Sequence, residues 1–70
     1  MADMRDAAVR VEIGISQRVA AKLIGVSVDL LVRYEIDARA VHDPKKRAAC
    51  SAFYAELRKL LSRQWLKAAA

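Results

Sequence analysis

The segment Ser16-Gln17-Arg18-Val19-Ala20-Ala21-Lys22-Leu23-Ile24-Gly25-Val26-Ser27-Val28-Asp29-Leu30-Leu31-Val32-Arg33-Tyr34-Glu35 carries the signals for two short helices joined by a tight turn. Ser16 is a natural cap for a helix from Gln17 to Ile24, because its hydroxyl can accept from an otherwise unpaired N–H of the first turn. Ala20, Ala21 and Ile24 fall on one side of that helix, Arg18 and Lys22 on the other. Gly25 ends it, since the turn needs a positive φ that only glycine adopts cheaply. Ser27 caps a second helix running from Val28 to about Ile36, with Leu31 and Tyr34 as its inward pair. Asp29 lies in the first turn, where the helix dipole favours a negative charge. Two helices crossing steeply also need a small residue where their backbones approach, and Ala21 is in that place.

Working outward, Asp3 reads as the cap of an earlier helix, with Asp6 three positions on in an approximate capping box. Met4, Ala7, Ala8, Val11 and Ile15 recur at helical spacing and predict one buried face, and Gly14 supplies a left-handed stop. Asp37 to Asp43 reads as a connecting loop. Asp43-Pro44 then opens a further helix, since proline's missing N–H would be unpaired there anyway. From Lys45 onward there is no glycine or proline. Ala49, Phe53, Leu57, Leu60 or Leu61, and Trp65 follow the helical period, as one long helix or two with a kink near Ser51. No segment alternates convincingly as a strand, so the expected fold is all-α, with four to five helices in a single domain over residues 1–70.

Size and charge narrow the function. With 70 residues, this chain buries too little surface for more than a thin core, so a second copy would help. One cysteine and one histidine give neither a disulfide nor an ordinary zinc ligand set, and a lone thiol fits a reducing cytoplasm. No apolar run approaches the roughly 20 residues of a membrane span, and the polar start Met1 to Asp6 has no signal-peptide core. The expected protein is therefore cytoplasmic, without a membrane partner. Thirteen Lys and Arg against eight Asp and Glu leave a net charge of +5, which favours polyanionic partners. No nucleophile–base pair, phosphate loop or metal cluster can be assembled, so no enzyme, cofactor, metal or small-molecule substrate is expected.

A unit of this kind presents the start of its second helix as a ridge suited to the major groove. At Ile15-Ser16-Gln17, Ala20-Ala21, Gly25-Val26-Ser27, Leu31 and Arg33-Tyr34-Glu35 the chain resembles the lambda-type repressor and Cro family of helix-turn-helix regulators, also called the XRE family. The resemblance covers about residues 4 to 36. It implies a lambda-repressor-like domain that binds double-stranded operator DNA as a homodimer, typical of bacterial or phage repressors. It implies that Gln17 touches a phosphate and buttresses the recognition helix. It places Ser27, Val28, Asp29, Val32 and Arg33 on the surface that reads base edges and nearby phosphates. Glu35 matches an acidic residue that pairs with an arginine of the first helix, and Arg10 is the candidate partner. One departure is Asp37, where the family often has glycine.

Arg18, Lys22, Arg33, Arg39, Lys45 and Lys46 form a candidate basic rim for phosphates, or alternatively an ordinary solvated surface. Asp29 is either a helix-start stabiliser or an acceptor for a cytosine amino group, and Val28 can pack on a thymine methyl. Tyr34 is read as core with its hydroxyl at the rim, Cys50 as a small packed residue and His42 as a loop residue. Trp65 fits a dimer seam or a peripheral core position. Two other readings stand beside the regulator. A MerR-like or excisionase-like head shares the Gly25-to-Glu35 motif but calls for a β-wing after Glu35. A protein-interaction module, antitoxin or adaptor, suits Asp29 and the stripe from Phe53 to Trp65.

Overall fold

The computed structural model describes residues 5–69, with side chains as far as Gln64. Four α-helices follow one another: α1 (Asp6–Ile13), α2 (Gln17–Ile24), α3 (Val28–Ile36) and α4 (Pro44–Ala69), with a 3-10 turn at Ala38–Ala40 before the last. Among the described residues there is no strand. The segment after Glu35 that a β-wing would need is instead the 3-10 turn, which Asp37 caps through its carboxylate and the Arg39 N–H at 3.0 Å.

The local signals act as their chemistry requires. The Ser16 hydroxyl accepts from the Val19 N–H and the Ser27 hydroxyl from the Leu30 N–H, each at 3.1 Å. Asp43 Oδ1 accepts from the N–H groups of Lys45 and Lys46, with Pro44 as the first helical residue of α4. Gly14 and Gly25 both sit in the left-handed region, at φ 91° and 89°. A Cβ at Gly25 would meet nothing within 4 Å, so its substitution is opposed by backbone strain alone. Gly25→Ala is therefore expected to cost about 1–2 kcal/mol, read as a lowered urea midpoint with an unchanged m-value.

α4 is one continuous helix of 26 residues, with no break near Ser51. At about 1.5 Å per residue it accounts for nearly all of the 41 Å long dimension. It packs chiefly against α1 and also touches α2 and α3. The core joins Val9 of α1, Ala20 and Ala21 of α2, Leu31 and Tyr34 of α3, Val41, and Cys50, Tyr54, Leu57 and Leu61 of α4. Tyr34 and Tyr54 stack with ring centroids 5.8 Å apart, and Phe53 meets Tyr54 edge-on at 5.4 Å.

Three expectations need correction. α1 begins at Asp6, preceded by Arg5 without a side-chain cap; Asp3 and Met4 lie outside the described residues. The inward face of α1 is Val9 and Arg10, while Val11 is 65 % exposed and Ala8 is exposed. A buried arginine turns the helix away from the face its apolar residues alone would choose. In α4 the buried row is Cys50, Tyr54, Leu57 and Leu61; Ala49 and Leu60 are exposed and Phe53 is half-buried. The row shifts because the Tyr54 hydroxyl has a partner inside. The Trp65 side chain lies outside the described residues.

Candidate nucleic-acid interface

One carboxylate holds the four helices together. Glu35, at the end of α3, has a side chain only 4 % exposed. Arg10 of α1 approaches it side-on, with Nε 2.7 Å from Oε2 and Nη2 3.2 Å from Oε1. Gln17 of α2 donates through Nε2 to Oε1 at 3.1 Å, and the Tyr54 hydroxyl of α4 donates to Oε2. Each carboxylate oxygen thus accepts two hydrogen bonds, which fills its capacity. Arg10 spends a further N–H on the Ile15 carbonyl at 2.9 Å. No buried side-chain polar atom among the described residues is left unpaired.

The titration of these groups follows from that geometry. Burial pushes the Glu35 carboxyl up, but the bonds from Arg10, Tyr54 and Gln17 outweigh it and hold it below its ordinary value. The bond to Glu35 raises Arg10, and burial together with the adjacent carboxylate raises Tyr54. All three groups therefore keep their pairing across the neutral range. The network fixes the axis of α3, so the direction in which its other face points is set from behind.

That other face is open. Leu31 and Tyr34 are buried beside Glu35, whereas Val28, Asp29, Arg33 and Ile36 are exposed and Val32 is half-buried. α4 does not cover them. Ser27, Asp29, Leu30 and Arg33 form one wall of an open groove of about 380 Å³; Ala40 to Asp43 and Lys46 form the other. The structure therefore brings Ser27, Asp29, Arg33 and Lys46 to one place, where the start of α3 meets the start of α4.

The remaining rim residues are placed differently. Arg18 and Lys22 are exposed on α2, and Lys45 is exposed in the first turn of α4. Arg39 is exposed but shares its charge with Asp37, Nε to Oδ1 at 3.3 Å. Gln17 is committed to Glu35 through one amide hydrogen and keeps a second. Cys50 is fully buried, with its thiol pushed up by burial, as suits a packing residue.

Sequence reading missed Tyr54, His42 and Asp43 as parts of the site. Tyr54 had a detectable signal: a tyrosine on a core-facing row needs a hydroxyl partner, and Glu35 is the carboxylate with capacity to spare. His42 and Asp43 had none, because they line the groove only through the path of the loop. Among the described residues no group of His, Cys, Asp and Glu could hold a metal ion, and no helix is long and apolar enough to cross a membrane. No protein-family model matches the chain, and comparison with curated proteins and with solved structures gives no significant match.

Proposed function

We propose that this chain is a sequence-specific DNA-binding regulator of the lambda-type repressor kind, acting in the cytoplasm as a two-fold homodimer on palindromic sites of bacterial or phage DNA. The observation that carries the reading is the division of α3 into an anchored face and an uncovered one. A helix held from behind by Leu31, Tyr34 and Glu35 is stiff enough to be pressed into a groove. Its capped N-terminus and its exposed Val28, Asp29 and Arg33 are then the parts that meet base edges.

The division of labour follows from side-chain chemistry. Arg33 offers a planar fork of donors to guanine O6 and N7. Arg18, Lys22, Lys45 and Lys46 reach phosphates on either side, and the free amide hydrogen of Gln17 adds a neutral donor. Asp29 is exposed close to those phosphates and lowers overall affinity, which leaves Arg33 as the strongest reader of a G·C pair. Repression needs no bond to be made or broken; occupancy of the site is sufficient.

Selection from random duplex DNA tests this reading. The wild-type protein is expected to enrich a palindromic site, and Arg33→Ala to bind it with a 10- to 100-fold loss for each half-site and relaxed preference at one base pair of each, consistent with about 1–3 kcal/mol for each bidentate base contact. Failure to enrich any site at low salt overturns the proposal. A second reading, a protein-binding module, draws on Val19 and Leu23. They stand one turn apart on α2, and Leu23 is 64 % exposed. Salt dependence separates the two readings.

A further inference from the structure

The open face of α3 carries two parallel rows of side chains. Val28, Val32 and Ile36 stand at i, i+4 and i+8, and Asp29 and Arg33 form the adjacent row. None of the three apolar residues belongs to the core or packs against it. Val28 is 39 % and Ile36 is 80 % exposed and Val32 is half-buried, and among the described residues no core side chain packs on this row. Helix positions four apart are separated by about 6 Å, and stacked base pairs by about 3.4 Å. The row therefore passes over roughly three to four base-pair steps.

Only one apolar group lines the major groove, the thymine 5-methyl. α3 contains no Asn, Gln, Lys, Ser or Thr between Val28 and Ile36, so it lacks the amide that reads adenine. Its reading chemistry is limited to the fork of Arg33 for guanine, the carboxylate of Asp29 for cytosine, and the apolar row. The chain's charge favours a polyanionic partner for that row. It is flanked by Asp29 and Arg33, with Lys46 across the groove, on a chain of net charge +5. A groove walled by phosphates matches such a border.

We propose that Val28 and Val32 read thymine methyl groups, so that each half-site carries two thymines beside the G·C pair met by Arg33. The inference rests on the DNA-binding reading above. It makes the specificity of A·T pairs depend on a single carbon atom per contact.

The experiment uses the most enriched duplex from the selection, synthesised once with thymine and once with uracil in its place. The two pair identically and differ only in the 5-methyl. By fluorescence anisotropy, the wild-type protein is expected to bind the uracil duplex about fourfold more weakly per contacted methyl, hence roughly 200-fold for the four methyls of a two-fold site. The variant Val28→Ala/Val32→Ala should show a much smaller difference between the two duplexes, with its helical circular dichroism retained because alanine favours a helix. Equal binding of the two duplexes by the wild-type protein overturns the methyl reading and leaves DNA binding intact. Binding of neither at low salt overturns DNA binding itself.

Discussion

Glu35→Ala is expected to remove a large part of the domain's stability. The substitution removes the acceptor of four hydrogen bonds at once and strands the Arg10 guanidinium, whose side chain is only 10 % exposed, with the Ile15 carbonyl as its remaining partner. Breaking one side of a buried ion pair typically costs about 3–5 kcal/mol. A chain of this length has only about 4–10 kcal/mol in total. At about 4–8 °C per kcal/mol, the melting temperature should fall by tens of degrees. Arg10→Ala should cost less, because Glu35 keeps the donors on Gln17 and Tyr54.

The decisive arm is the pair. Arg10→Met combined with Glu35→Met removes both buried charges together, and the double variant should be more stable than the sum of the two single losses predicts. Urea unfolding of the four proteins reads that coupling; strict additivity would show that the two side chains do not act as a unit. Acid supplies an independent check. Glu35 is held below its ordinary value by its donors, so its pairing contributes its full stability once the unfolded carboxyl would be ionised. That gain is complete above about pH 5 and is lost as the pH falls through the depressed folded value. Glu35→Gln should flatten this part of the stability profile.

How far the sequence revealed this arrangement depended on how locally each signal was encoded. Ser16, Ser27, Gly14, Gly25 and Asp43-Pro44 could be read directly, because a cap or a positive φ is decided within four residues of chain. The pairing of Arg10 with Glu35 is a contact across 25 positions and came from a family resemblance, not from any spacing rule. What failed was inference from apolarity alone. Within the expected row Met4, Ala7, Ala8, Val11 and Ile15, Ala8 and Val11 fail because a charged residue counts as outward in any hydrophobic pattern. Once Arg10 is inward, Val9 is brought inward with it and Val11 is turned to solvent. The same error, one residue in size, put Phe53 and Ala49 where Tyr54 and Cys50 belong. In both cases a hydrogen-bonded polar atom decided the rotation of the helix. The groove formed with His42 and Asp43 was illegible for another reason: it depends on the 3-10 turn that folds residues 37 to 40 back toward α3.

The steepest expected effect on binding is that of salt. Arg33 is assigned to a base and Arg39 shares its charge with Asp37, which leaves Arg18, Lys22, Lys45 and Lys46 for phosphates in each subunit. A dimer would then neutralise eight phosphates, and the affinity should fall by about 10⁴ between 50 and 200 mM salt. Lys46→Ala, a change at an exposed position in the α4 first turn, should reduce the logarithmic slope by about one for each subunit while leaving the preferred sequence unaltered. Docking of another protein on Val19 and Leu23 behaves in the opposite way, since burial of apolar surface is insensitive to modest salt and is strengthened by sulfate. A binding constant that stays level over this range would therefore favour a protein partner docked on Val19 and Leu23 of α2. A slope near the counterion value would show that the chain's cations lie against phosphates, as a helix seated in the major groove requires.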